Sequence, residues 1–301
     1  MALAFRLYRR LEGRDDGRTF MIYRSLLGPI AAAAWIAGSA HAEDLSKYDL
    51  SKYPDWSGQW KNTAGIQWDP TKPLGRAQQP PLTPEYQKRY EASLADQAAG
   101  GLGDDPTGRC IPHGMPRVMT VVYPMEIVIL PKTTYILTDY TVSRRIFTDG
   151  RDWPAEMDQN FNGLSIGRWE DMGSDGRYAA LVAETRGFKG PRTYEASGIM
   201  LHADNQSVIK ERFSLDRSDK TLLLDEITVI DDALTRPWTV IKKYRHESDP
   251  NYFWHFNDCA EDNHHVRIGK DDYFISENGY LMPVKKNQAP PDLRYFKPAG
   301  Q

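Results

Sequence analysis

The chain has 301 residues, of which 40% are hydrophobic and 26% charged, with a formal net charge of −3; that excludes disorder throughout and leaves room for one large domain with appendages. No block of Lys or Arg stands out, so an electrostatic footprint for nucleic acid or anionic lipid is missing.

From Met21 the chain reads MIYRSLLGPIAAAAWIAGSAHA: a basic start at Arg24, an apolar run from Leu26 to Gly38, and a small-x-small end at Ala40-His41-Ala42. These are the parts of a secretory signal peptide. The apolar run is too short and too rich in Ala for a membrane span, so cleavage after Ala42 is expected, with no stable span left and a periplasmic or secreted product starting at Glu43. Residues Met1 to Phe20 fit poorly before such a signal, and Met21 is an alternative start. Loss of residues 1 to 42 removes six Arg and three acids, which takes the charge to −6.

Residues 43 to 79 carry Tyr48, Tyr53, Trp56, Trp60 and Trp68 among Pro, Gly, Asp and Lys without a helical or alternating period, and read as an arm. A helix is predicted over Leu82 to Gly101. Thr83 is placed to cap it, Pro84 suits its first position and Gly100-Gly101 end it; Tyr86, Tyr90, Leu94 and Ala98 share a stripe for packing.

From Glu126 to Arg245 eight strand-length runs follow, rich in Val, Ile, Leu, Thr, Tyr and Phe: EIVIL, TTYILTDY, VSRRIF, SIGRWED, RYAALVAETR, SVIKERFSLD, KTLLLDEITVI and WTVIKKYRH. Turn residues separate most of them, at Pro131-Lys132, Asp149-Gly150, Gly173 to Gly176, Ser218-Asp219 and Asp231-Asp232. Closure into an antiparallel up-and-down barrel of the lipocalin (calycin) kind removes the two open edges such a meander would leave. The expected organisation is signal 1–42, arm and helix 43–122, barrel 123–248, and a segment 249–301 packing on the barrel, with a hairpin turning at Glu277-Asn278-Gly279.

Cys110 and Cys259 lie just before and just after the barrel in a chain bound for an oxidising compartment, which predicts a disulfide. On the entropy model it would stabilise the fold by roughly 4 to 5 kcal/mol.

CIPHGMPR, RRIFTDGRDWP, SIGRWED, KERF, RPWTV and DCAEDN, in that order, resemble a family of exported bacterial proteins with the patterns RRIYTDGR, GHSIGRWEGDTLVV, ERF, PWT and CxExN. The likeness spans nearly the whole exported chain. It implies export and a β-rich fold and brings no activity with it. Leu164 stands where a His is usual in those patterns, so a role for that His is absent here.

Three constellations are candidates for chemistry. Alternation places Glu211 between Ile209 and Phe213, Asp225 between Leu223 and Ile227, and Arg144 between Val142 and Ile146, all pointing inward. Charges on an apolar lining must be paired or functional. They form either a catalytic group, with a carboxylate as general acid or base and Arg144 beside an anion, or a buried salt bridge. Arg145, Asp149, Arg151 and Arg168, with Glu261, are candidates for binding a polar group at the barrel's mouth; the plain alternative is a Asp149-Gly150 turn and arginines bridging neighbouring acids. His255, Glu261, His264 and His265, with Cys259 and the remote His113, have spacings compatible with a metal, although Cys259 cannot be a ligand if it is in a disulfide; the plain alternative, and the expectation, is solvated or core histidines and no metal.

A glycine phosphate loop, HExxH, GxSxG and CxxC are all missing, so no cofactor is expected. Two function classes remain. One is a cofactor-independent lyase, isomerase or hydrolase acting on a small, partly apolar molecule; the other is a lipocalin-like carrier or sensor.

Overall fold

The computed structural model describes residues 45–291 apart from 121, 139–142, 172, 174–175, 250–258, 260–263 and 270. The signal segment, His255 and Glu261 therefore lie outside the described residues.

All eight runs form strands: β2 Met125–Leu130, β3 Thr133–Thr138, β4 Arg144–Phe147, β5 Leu164–Asp171, β6 Tyr178–Arg186, β7 Val208–Leu215, β8 Leu222–Ile230 and β9 Trp238–His246. A ninth, β1 (Gln59–Asn62), comes from the arm and closes the barrel by pairing with both β2 and β9, Trp60 lying opposite Met125 on one side and His246 on the other. Closure thus depends on QWKN, too short to show alternation. The expected up-and-down order needs one further correction, because β4 and β5 are parallel. Residues 148–163 cross back before β5 starts, and the pair holds only at Ile146 opposite Ser165 and Phe147 opposite Ile166.

The barrel interior is packed. Ile136, Ile146, Leu181, Ile209, Phe213, Leu223, Ile227 and Val229 are all buried, as expected for a barrel of about this strand number, whose bore is just wide enough for side chains. The arm adds three buried indoles. Trp56 packs at 5.1 Å on Trp169, Trp60 donates from Nε1 to the Trp56 carbonyl at 2.9 Å, and Trp68 lies 5.1 Å from Tyr194 and 5.9 Å from Trp238.

Helix α1 spans Pro84–Ala98. Thr83 occupies its N-cap position, although its side chain makes no capping bond. Tyr86 and Tyr90 are buried as the stripe requires, but Ala98 is exposed and Ser93 is buried instead. Ser93 is turned inward by its bond to the Ser197 carbonyl at 3.0 Å, in the long segment between β6 and β7. That segment is held by Arg192, whose guanidinium donates to the Met115 carbonyl (2.9 Å) and Ser207 Oγ (2.8 Å) and stacks 4.0 Å over Phe188.

A separate three-stranded sheet follows: β10 His265–Ile268, β11 Asp271–Ile275 and β12 Leu281–Pro283. Its last turn holds Gly279 at φ +78°, where a side chain would be strained, so the expected hairpin is present. Cys110 and Cys259 are bonded, with Cα atoms 5.5 Å apart. Among the described residues, no helix is long and apolar enough to cross a membrane.

Candidate functional site

The two-residue strand period puts Arg144 and Ile146 of β4 on the same face, and Ile209, Glu211 and Phe213 of β7 on theirs, with both faces turned into the barrel. Arg144 reaches across the interior and grips Glu211 with both ends of its guanidinium, at 2.9 and 2.7 Å. Their side chains are 2% and 0% exposed. Burial pulls the Arg144 guanidinium toward losing its proton, but Glu211 outweighs it and the net shift is upward. Ser165 of β5 lies 3.4 Å from Arg144 Nη2 and exchanges a 2.8 Å bond with Thr185. The guanidinium Nε–H has no protein partner among the described residues.

Asp225 is also inside, fully buried, in register with Phe213 on β7 and Lys242 on β9. Neither carboxyl oxygen has a partner among the described residues. Burial first, and the neighbouring Glu211 second, hold its pKa well above the usual carboxylate range, which favours the protonated acid. Lys242 does not reach it. Its ammonium group turns to the carbonyls of Gln67 (3.0 Å) and Trp68 and lies 4.6 Å from the Trp68 ring, and burial lowers its pKa to about 7. Tyr244 donates to the Met119 carbonyl at 2.7 Å. Lys242 and Tyr244 are interior residues that the sequence expectations omitted, although the parity of WTVIKKYRH (Trp238, Val240, Lys242, Tyr244) places them there.

Where the parallel seam between β4 and β5 runs out, a cleft of about 270 Å³ opens in the barrel wall. Arg144 and Ser165 line it from within, Arg145, Asn160 and Asn162 from the rim, and Phe147 and Leu164 give it apolar sides. Three larger clefts lie elsewhere among the described residues, the smallest, of about 350 Å³, beside Met157, Arg186 and Gln206. One of about 460 Å³ separates the arm at Tyr53–Gly58 from β2, and one of about 1050 Å³ crosses the outer faces of β7, β8 and β9 near Arg217 and Lys220. Only the seam cleft among these is lined by a charged residue of the interior.

Comparison with protein-family models gives no match, and comparison with curated proteins gives none either.

The other expected site residues are not gathered into one mouth cluster. Arg151 doubles back on Asp149 through bonds of 2.9 and 2.6 Å and lies 3.7 Å over the Phe147 ring, while Arg168 is on the outer face, paired with Glu170 at 2.8 Å. Strand parity explains the separation: Arg168 falls on the opposite face from Ser165 and Trp169. Arg145 also points outward, its guanidinium 5.8 Å from the Tyr135 ring, at the rim of the seam cleft.

The metal expectation loses its thiolate, because Cys259 is in the disulfide. His264 and His265 both rest against Phe274, at 5.7 and 5.5 Å. His113 is buried near Arg117 and Asp105, and burial chiefly, with Arg117 second, lowers its pKa to about 3, which keeps it neutral. Another grouping, unforeseen because Asp232 is distant in sequence from His202 and Asp204, brings ligand atoms of these three residues within 4.8 Å of one another. Two of the three are exposed, and His202 Nδ1 already bonds Asp204 at 2.9 Å.

Proposed function

We propose that this is an exported small-molecule-binding barrel whose ligand enters the cleft at the β4–β5 seam. The observation that carries the reading is the position of Arg144: it lines that cleft, is fixed from behind by Glu211, and keeps one donor unspent. Buried donors are seldom left without a partner, and water or a ligand in the cleft is what fits this one. Signal-peptide features, the disulfide and the likeness to exported bacterial proteins support export.

Binding is favoured over acid–base catalysis by the placement of the acids. A general acid has to come within hydrogen-bond reach of its substrate. Asp225 and Glu211 line none of the clefts named above. Glu211 is spent on Arg144, and Asp225 lies closed in among Phe213, Lys242 and the packed core.

The test is a fragment screen by thermal shift and NMR on the exported protein and on Leu164→Trp, which fills the cleft from its apolar side. Hits that bind the parent and are lost in Leu164→Trp, with the variant's own melting temperature preserved, support the site. Hits indifferent to Leu164→Trp place the ligand elsewhere.

A further inference from the structure

The chemistry lining the seam cleft is one-sided. It has two arginines, two asparagines and two serines, and no carboxylate. The 1050 Å³ cleft mixes its basic residues with Asp55, Asp216 and Glu226, and the 460 Å³ cleft carries Asp55 and Glu126. A surface that carries positive charge and side-chain donors, and whose acceptors are all neutral, is complementary to an anion.

The two arginines differ in what they have left to give. Both terminal nitrogens of Arg144 are committed to Glu211, and that pair is neutral overall, so it supplies hydrogen-bond donors and little attraction. Attraction comes from Arg145, exposed at the rim with its guanidinium near the Tyr135 ring. Among the described residues Arg145 makes no ion pair, and one such charge suits one negative charge. A volume of about 270 Å³, at the roughly 30 Å³ a water occupies in the liquid, holds a skeleton of about nine non-hydrogen atoms. Phe147 and Leu164 wall it with apolar surface, which suits a compact carbon body behind the anionic end.

Resting on the small-molecule reading above, we infer that the seam cleft takes a compact monocarboxylate, steered in by Arg145 and held by the unspent Arg144 Nε–H and the Ser165 hydroxyl. Arg145 gives affinity that salt screens, and the two inner donors fix the carboxylate's orientation.

The experiment uses the full chain expressed with its own export segment and purified as the exported product, its disulfide intact. Benzoate and acetate are titrated beside their neutral isosteres benzamide and acetamide, and beside inorganic phosphate, with affinity read by calorimetry or NMR. The Arg Nε–H resonances are followed as a local reporter. Benzoate should bind at least about tenfold more tightly than benzamide, that being the difference one charge-assisted hydrogen bond makes. Binding should weaken by a similar factor in Arg145→Gln, which is exposed and leaves the interior pair untouched, and in about 0.5 M salt. An Nε–H resonance assigned to Arg144 should shift with benzoate occupancy.

Equal binding of benzoate and benzamide, lost in both for Leu164→Trp, would overturn the anion inference while leaving the small-molecule site standing. Phosphate displacing benzoate with higher affinity would replace the carboxylate class by a phosphoryl one. Failure of both carboxylates to bind at millimolar concentration overturns the inference, whatever other fragments the cleft accepts.

Discussion

Arg144 and Glu211 meet inside the barrel from strands 67 residues apart in sequence, through two parallel hydrogen bonds of 2.9 and 2.7 Å. Breaking such a pair on one side costs far more than the pair contributes, because the surviving charge stays buried without a partner. Glu211→Gln should therefore destabilise the fold by about 3 to 5 kcal/mol. Combining it with Arg144→Met should recover much of that loss. Urea unfolding of the single and double variants checks both; a single variant as stable as the parent would show that the pair is not formed.

The closing strand should behave as part of the core. Trp60 is 2% exposed and stitches the arm to β2 and β9, so Trp60→Ala should cost roughly 3 to 5 kcal/mol, as large-to-small changes in packed cores do. Amide exchange should show Gln59–Asn62 protected to the same degree as β9. Rapid exchange there would mean an open sheet.

Lys242 links stability to alkaline pH, with a definite sign. Its folded pKa of about 7 lies below the ordinary value of 10.5. Between those limits the unfolded chain holds a proton that the folded chain has released, so this group makes stability rise with pH across that window. Asp225 acts oppositely over its own window: its folded pKa is raised, so its contribution is full below the ordinary carboxylate pKa and is lost as pH rises through the folded value. Lys242→Met should flatten the rise above pH 7 by a few kcal/mol and leave the Asp225 limb in place. Unfolding free energies of parent and variant from pH 6 to pH 10 give the difference directly, and parallel curves would exclude a buried, partly neutral Lys242.

The Cys110–Cys259 bond closes a loop of 149 residues, and on the chain-entropy model that constrains the unfolded state by about 5 kcal/mol. Cys110→Ala should lower the urea midpoint accordingly. Mass spectrometry of the non-reduced protein should find neither thiol open to alkylation.

How much of this was legible in the sequence depended on the period of each element. In β7 and β8 the two-residue alternation is regular, and it places Glu211 and Asp225 inside with no other information. β1 has four residues and no alternation to read, and the reversal between β4 and β5 depends on the path of residues 148–163, so neither the closing strand nor the parallel seam could be anticipated. The seam cleft exists because of that pair. Its polar lining is drawn from the end of β4, the crossover and the start of β5, which only the fold brings together. Arg151 and Arg168 illustrate the reverse: they read as a shared cluster in sequence, but the nearest acids, Asp149 and Glu170, take them separately.

The measurement that bears most directly on the seam site is a crystal structure of the protein soaked with small carboxylates and their neutral isosteres. Ligand density between Arg145, Asn162 and Leu164, reaching Ser165 and Arg144 Nε, is the expected result. Well-ordered ligand in the arm cleft at Tyr53–Gly58 or on the outer face near Arg217, with only water in the seam, would contradict it.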